Sequence, residues 1–137
     1  MTDGWLDKHG LVTLPSGVIL RGRRIGDAVS PADFALVLAS GPIPAWPHRR
    51  IDWPDFWIPK DRADALDALR GAYRRACDGE RVEVTCKGGR GRTGTALAAM
   101  AILDGVPATE AVGWIRANYN PHAVETPLQR LWLRSVR

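Results

Sequence analysis

The chain has 137 residues, of which 45% are hydrophobic and 25% are charged, and this fits one globular domain over residues 1–137. Its longest apolar run, residues 96–103, is too short to cross a membrane, so we expect no transmembrane segment. The net charge of +4 favours anionic partners, but no recognition motif indicates nucleic acid. Two cysteines, Cys77 and Cys86, and a start that lacks an apolar stretch predict a cytoplasmic protein rather than a disulfide scaffold.

The first predicted elements are two strands around a tight turn. Residues 11–14 and 18–21 are mainly apolar and β-branched, and a Pro-Ser-Gly turn separates them. Three arginines lie at the end of the second strand: Arg21, Arg23 and Arg24. We interpret them as a solvated strand end, and the alternative places one of them at the rim of an anion pocket.

The next stretch is ambiguous. Ser30 followed by Pro31 is typical of a helix start, and the apolar residues 34–39 fit a short helix that runs into a strand. The pattern alone leaves helix and strand open here. Residues 43–50 lie among several prolines and predict a loop.

Residues 51–59 contain two aspartates, two tryptophans and two prolines. A loop that prolines stiffen and a tryptophan anchors can move as a unit and deliver a carboxylic acid to a reacting group. Asp55 is our candidate for this general acid, and Asp52 is the nearby competitor. The alternative is a proline-rich surface loop with aromatic side chains that fill gaps.

A helix is predicted from Asp61, as its N-cap, to about Cys77, with Gly79 as its C-terminal stop. Cys77 is expected on the helix face, and a role as a second thiol for oxidised Cys86 is the less favoured alternative. This helix leads to a short buried strand over residues 81–84.

The stretch from Cys86 to Arg92 joins this strand to an apolar helical run and contains three glycines. A strand, a glycine-rich turn and a helix N-terminus form an anion cradle of inward-pointing N–H groups. The helix N-terminus and nearby cations should favour the thiolate of Cys86. Arg92 offers a planar fork for two phosphate oxygens. The alternative is a structural glycine turn with an incidental buried cysteine.

Two further helices are predicted near the C-terminus. The first runs from Pro107 to about Asn118, and His122 follows in a surface turn. The second begins at Pro127, where Thr126 and Gln129 fit a capping box.

The stretch Cys-x5-Arg-Thr-Gly from Cys86 to Gly94 closely resembles the phosphate loop of protein tyrosine and dual-specificity phosphatases. Trp53-Pro54-Asp55 resembles their acid loop, and Glu125-Thr126-x-x-Gln129 resembles their glutamine loop. The resemblance implies a compact α/β fold whose central, mostly parallel sheet has helices on both faces. It also implies that the site lies at the carboxyl end of the strand that precedes Cys86.

The resemblance further implies a hydrolase that uses a phosphocysteine intermediate and needs no metal or other cofactor. Its catalytic residues would be the nucleophile Cys86, the acid Asp55, Thr93 as a donor to the sulfur, Gln129 as a holder of water, and Arg92. The loop that binds phosphate would consist of Lys87, Gly88, Gly89, Arg90, Gly91 and Arg92.

Two residues depart from the family pattern. Thr85 stands where a histidine is usual, and Glu125 stands where glutamine is common. An inactive phosphate-binding module is therefore one alternative function. A phosphorylated protein is the first choice of substrate, and a phosphoinositide is the second because Lys87 and Arg90 resemble the basic loop of tensin-type lipid phosphatases. The oligomeric state stays open.

Overall fold

The computed structural model describes residues 4–27 and 29–136, which form five strands and four helices. In chain order these are β1 (Leu11–Thr13), β2 (Ile19–Arg24), β3 (Phe34–Val37), β4 (His48–Arg50), α1 (Arg62–Cys77), β5 (Val82–Cys86), α2 (Gly91–Leu103), α3 (Ala111–Asn118) and α4 (Pro127–Leu133). No described helix is both long enough and apolar enough to span a membrane.

The strands form one sheet in the order β1-β2-β5-β3-β4, in which β1 and β2 are antiparallel and the other neighbours are parallel. The predicted central, mostly parallel sheet is thus confirmed. β5 lies in the middle, and all five of its residues are buried. Its last residue, Cys86, pairs with Arg24 at the carboxyl edge of the sheet. This is the edge where open parallel sheets place their ligands.

The first face of the sheet packs against helices. Both α1 and α2 contact the sheet, and they also contact each other, so they share this face. Every residue of α2 from Gly91 to Ala101 is buried, because α1, α3 and α4 surround it. A helix with no polar face is stable only in such a position. The predicted caps of the flanking helices are also present, with Asp61 capping α1 and a Thr126–Gln129 capping box starting α4.

The second face of the sheet is covered, in the described residues, by loops and not by the helices expected there. These loops surround a buried charge cluster. Arg21 and Arg23 both donate to the carboxylate of Glu83, and all three side chains are almost fully buried. Trp46 Nε1 donates to Glu83 Oε2 over 2.9 Å, and the guanidinium of Arg21 lies 4.5 Å from the ring centre of Trp5. Burial by itself raises the pKa of Glu83, but the two arginines outweigh it and leave this pKa below its ordinary value.

The prediction that Arg21 and Arg23 form a solvated strand end is therefore wrong. Residues two apart on a strand point to the same face, and the register places Arg21 directly beside Glu83 of β5. Only Arg24, with 66% of its side chain exposed, is solvated. Because two guanidinium groups surround one carboxylate, the cluster keeps one net positive charge inside the protein.

The segment from Ser30 to Arg50 also differs from expectation. Residues 30–33 do not start a helix, and residues 34–37 form the fully buried strand β3. A continuous apolar run is typical of a parallel strand that is covered on both faces. His48–Arg50, predicted as loop, forms the edge strand β4. Similarly, α3 begins at Ala111 rather than at Pro107, because residues 108–110 form a turn.

Candidate active site

The phosphate loop runs from the end of β5 to the first turn of α2, and its glycines meet other parts of the chain. Gly89 has φ +67°, and a Cβ there would lie 2.9 Å from the backbone of β2. A Cβ at Gly91 would overlap the carboxylate of Glu125, and one at Gly94 would lie 2.5 Å from Cβ of Ala123. The glycines therefore let β2 and the loop between α3 and α4 approach the phosphate loop closely.

Cys86 lies at the base of this loop with only 2% of its surface exposed. Its Sγ accepts a hydrogen bond from the N–H of Gly89 at 3.2 Å. The first N–H groups of α2, which begins at Gly91, have no partner within the helix. A sulfur anion or a bound oxyanion is stabilised at such a position.

Arg92 connects three parts of the site. It is 5% exposed, and its Nη1 donates to the carbonyl of Leu38 at 3.1 Å and to the carbonyl of Trp53 at 2.9 Å. Its Nε lies 3.4 Å from Oδ1 of Asp55. The guanidinium thus joins the end of β3, the acid loop and the phosphate loop.

The acid loop is anchored by Trp53. This side chain is buried, its ring packs edge-on against Trp132 at 5.3 Å, and its Nε1 donates to the carbonyl of Trp57 at 2.7 Å. Gln129 Nε2 donates to the same carbonyl at 3.0 Å. These contacts fix the two ends of the turn that presents Asp55, whose side chain is about half exposed. Phe56 follows with φ +58°, a conformation that only the surrounding turn maintains.

These parts enclose a pocket of about 120 Å³. Three predicted catalytic residues line it, namely Cys86, Arg92 and Asp55, together with Phe56 and Glu125. Gly88, Arg90 and Gly91 complete it. Asp52 is not among these residues. It faces a larger neighbouring pocket of about 600 Å³, which Asp55 and Arg92 also line. The carboxylate of Asp52 lies 3.8 Å from Lys60 Nζ.

Other predicted residues lie outside the small pocket. Thr93 is buried, and its hydroxyl has no hydrogen-bond partner among the described residues. Gln129 is fully buried, and its Oε1 accepts from the N–H groups of Glu125 and Thr126. Lys87 is exposed and lines the pockets on either side.

Thr85, the residue before the cysteine, is buried on the face of β5 opposite to the helices. Its hydroxyl has no partner within the described chain. It borders a pocket of about 160 Å³ beside Arg23. On the Thr85 side of the phosphate loop, the charged groups are therefore those of the buried cluster of Arg21, Arg23 and Glu83.

Sequence reasoning did not identify two residues at this site. Phe56 lines the small pocket. Its position directly after the candidate acid Asp55 could have indicated this from the sequence. Tyr119 donates its hydroxyl to the carbonyl of Gly89. Nothing in the sequence around Tyr119 indicates this contact, because it depends on how the end of α3 meets the phosphate loop.

The sequence profile of the protein-tyrosine phosphatase family matches residues 45–126, which is more than half of the chain. The chain belongs to this family. A protein-tyrosine phosphatase is a cysteine-dependent phosphatase, so the chain is a hydrolase of phosphoric monoesters. The matched range contains the acid loop, the phosphate loop and the start of the glutamine loop.

Solved structures support the fold of this phosphatase. Tk-PTP in the active form is 28% identical, with a TM-score of 0.68, and the match covers 77% of this chain and 78% of that one. DUSP15 is 18% identical over 76% and 69% of the two chains, with a TM-score of 0.64. PTPMT1 in complex with PI(5)P is 18% identical over 77% and 76%, with a TM-score of 0.60. No curated protein sequence matches the chain.

Proposed function

We propose that this phosphatase hydrolyses phosphomonoesters of proteins through a phosphocysteine intermediate on Cys86. The observation that carries the proposal is the convergence of Cys86, Arg92 and Asp55 on one small pocket at the N-terminus of α2. A nucleophile, a holder of oxygens and a proton donor are the groups that this reaction needs. We also propose that residues 1–137 form one domain and that it acts in the cytoplasm.

In the first step the Cys86 thiolate attacks phosphorus, the bond from phosphorus to the leaving oxygen breaks, and Asp55 gives its proton to that oxygen. Arg92 Nη1 is held by two backbone carbonyls. The edge formed by Nε and Nη2 is therefore the one that we expect to hold two phosphoryl oxygens. The N–H groups of residues 87–91 would hold the remaining negative charge.

In the second step water attacks the phosphocysteine, the S–P bond breaks, and the Asp55 carboxylate takes a proton from the water. Thr93 would donate its hydroxyl to the departing sulfur. The contacts of Gln129 support a role in holding the acid loop through Trp57, and to position water its amide must leave that carbonyl. Glu125 lines the pocket and is a second candidate to accept the proton of the water.

A phosphoinositide is the second candidate substrate. The phosphate loop borders a further pocket of about 710 Å³ whose lining includes Arg24, Lys87 and Arg90. Asp27 also lines this pocket and pairs with Arg24, so Lys87 and Arg90 supply its excess positive charge, which suits a ligand with more than one phosphate group. The likeness to PTPMT1, which was solved with PI(5)P, is consistent with this alternative but shows only the fold.

Three measurements test the proposal. Hydrolysis of an aryl phosphate distinguishes an enzyme from an inactive phosphate-binding module, and trapping of a phosphorylated enzyme at Cys86 by rapid acid quench tests the intermediate. Comparison of kcat/KM for phosphotyrosine peptides, phosphoserine peptides and phosphoinositide vesicles then assigns the substrate. A preference for the vesicles would replace the protein substrate with the lipid.

A further inference from the structure

Tyr119 lies directly after α3, and its side chain reaches the phosphate loop. Its hydroxyl donates to the carbonyl of Gly89, while the N–H of Gly89 donates to Sγ of Cys86. Gly89 is therefore held on both sides, by a phenol at its carbonyl and by the sulfur at its amide. The position of this amide depends on a residue that no phosphatase motif of the chain contains.

β2 provides the space for the phenol. A Cβ at Gly22 would lie 2.4 Å from the hydroxyl oxygen of Tyr119 and 2.6 Å from its Cζ. Gly22 pairs with Val84, two residues before Cys86. The strand that flanks β5 thus lacks a side chain at the place that Tyr119 occupies. Any larger residue at position 22 would displace the phenol from Gly89.

Tyr119 stays protonated under ordinary conditions. Its burial, the charge of Cys86 and the charge of Asp27 all raise the pKa of Tyr119 above its ordinary value. A neutral phenol donates a hydrogen bond to a carbonyl, whereas a phenolate cannot. The contact with Gly89 is therefore present over the whole pH range in which a phosphatase would be assayed.

We propose that Tyr119 is a positioning residue that holds Gly89 so that the N–H groups of the phosphate loop face the phosphoryl group. Tyr119 itself does not touch the substrate. The inference rests on the proposed function, since it requires that the loop around Cys86 binds a phosphoryl group. It assigns a role in oxyanion binding to a residue at the end of α3.

The test is Tyr119→Phe, which removes the hydroxyl and keeps the ring. We expect a loss of about five- to tenfold both in affinity for tungstate and in kcat/KM, the effect of one lost hydrogen bond. Because the loop acts on the phosphoryl group and not on the leaving oxygen, the loss should be the same for aryl phosphates with good and poor leaving groups. Loss of an acid catalyst would instead depend on the leaving group.

The chain offers a matched control in its other tyrosine. Tyr73 on α1 donates its hydroxyl to Asp104, away from the phosphate loop. Tyr73→Phe removes the same kind of hydrogen bond, so it should lower thermal stability without a change in tungstate affinity. An equal loss of tungstate affinity in both variants would overturn the role assigned to Tyr119.

Gly22→Ala also tests the contact between Tyr119 and Gly89, because Gly22 leaves the space that the phenol occupies. The added methyl group should displace the phenol and lower tungstate affinity at least as much as Tyr119→Phe does. In a Tyr119→Ala background, where the ring is absent, Gly22→Ala should cause little further loss. Additive losses in the double variant would contradict the inference.

The outcomes separate the two proposals. If the wild type hydrolyses phosphate esters and binds tungstate while Tyr119→Phe does both equally well, the role of Tyr119 is wrong and the proposed function stands. If the wild type does neither, the proposed function fails, and the inference about Tyr119 fails with it.

Discussion

Arg92 Nε lies 3.4 Å from Oδ1 of Asp55, so the proposed holder of the phosphoryl group faces the proposed proton donor. The same guanidinium donates to the carbonyl of Trp53, two residues before this aspartate. The acid loop is thus attached to the side chain that would hold the phosphoryl oxygens. This relationship connects binding to proton transfer and motivates the first two predictions.

Asp55→Asn removes the proposed proton donor with little change in shape. We expect a rate loss on the order of 10²–10⁴ for an alkyl or phenyl phosphate and a much smaller loss for an activated aryl phosphate, because a good leaving group needs no acid. The measurement is kcat/KM against leaving-group pKa. Asp52→Asn is the control, since Asp52 does not line the pocket of Cys86 and its carboxylate lies 3.8 Å from Lys60 Nζ. The reverse pattern would identify Asp52 as the donor.

Arg92→Lys keeps a positive charge but removes the planar fork. We expect kcat/KM to fall by about 10²–10³, since an ammonium group cannot hold two oxygens in this geometry and also replace the contacts with the carbonyls of Leu38 and Trp53. Arg49→Lys, a change in a surface ion pair with Asp64, is the control and should leave kcat/KM unchanged. A mild effect at position 92 would show that this residue does not hold the phosphoryl group.

Cys86→Ser replaces the thiol by a poor nucleophile and leaves the loop in place. Turnover should be lost, while titration calorimetry should still detect tungstate, because the N–H groups and Arg92 remain. Cys77→Ser is the matched control, since Cys77 is exposed at the end of α1 and should not affect turnover. Hydrolysis near the wild-type rate in Cys86→Ser would contradict the covalent mechanism.

Glu83→Gln removes the buried carboxylate charge that the guanidinium groups of Arg21 and Arg23 share. At neutral pH we expect the free energy of unfolding to fall by about 3–5 kcal/mol. The pKa of Glu83 is lower in the folded protein than in the unfolded chain. The contribution of its carboxylate to the free energy of unfolding is therefore complete above the unfolded pKa of about 4.3 and is lost as the pH falls from there through the folded pKa. The difference between wild type and variant should therefore shrink below about pH 4.

Urea unfolding at several pH values measures this difference. Glu80→Gln is the control, because Glu80 pairs with Arg75 at the surface over 3.0 Å and should contribute less than about 1 kcal/mol. A destabilisation by Glu83→Gln that stays constant down to pH 3 would show that shape, and not charge, accounts for it.

Thr85→Val tests the buried hydroxyl beside the nucleophile. This hydroxyl has no partner among the described residues, so its removal should raise the free energy of unfolding by about 1 kcal/mol. Thr95→Val is the comparison, because the Thr95 hydroxyl donates to the carbonyl of Gly91 at 2.7 Å, and its loss should destabilise the protein. Equal destabilisation by both substitutions would mean that the Thr85 hydroxyl is satisfied in solution, for example by water.

Much of the fold could be predicted because its signals are local. The strand, glycine turn and helix around Cys86 are continuous in sequence, and so are the caps at Asp61 and Thr126. The burial of Arg21 and Arg23 could not be predicted, since it depends on the register between β2 and β5. The sequence of residues 34–37 does not distinguish strand from helix, because an apolar run of that length fits either element until its neighbours in the sheet are known.

Part of the candidate site could likewise be predicted from the sequence, and part could not. Cys86, Arg92 and Asp55 follow from short motifs, and the structure brings them to one pocket. The contact of Tyr119 with Gly89 joins residues 30 positions apart, and that of Gln129 with Trp57 joins residues 72 apart. Neither contact has a pattern in the sequence, because tertiary packing alone creates it.

The close approach of Ala123 to Gly94 limits how this catalytic unit can be transplanted. A Cβ at position 94 would lie 2.5 Å from Cβ of Ala123, so the second glycine of α2 makes room for another segment of the protein and not for an anion. If only residues 86–94 were grafted onto the parallel sheet of another protein, the face of the helix at Gly94 would lose its contact with Ala123. The portable module therefore includes residues 119–125 as well, and the two segments should vary together among natural relatives.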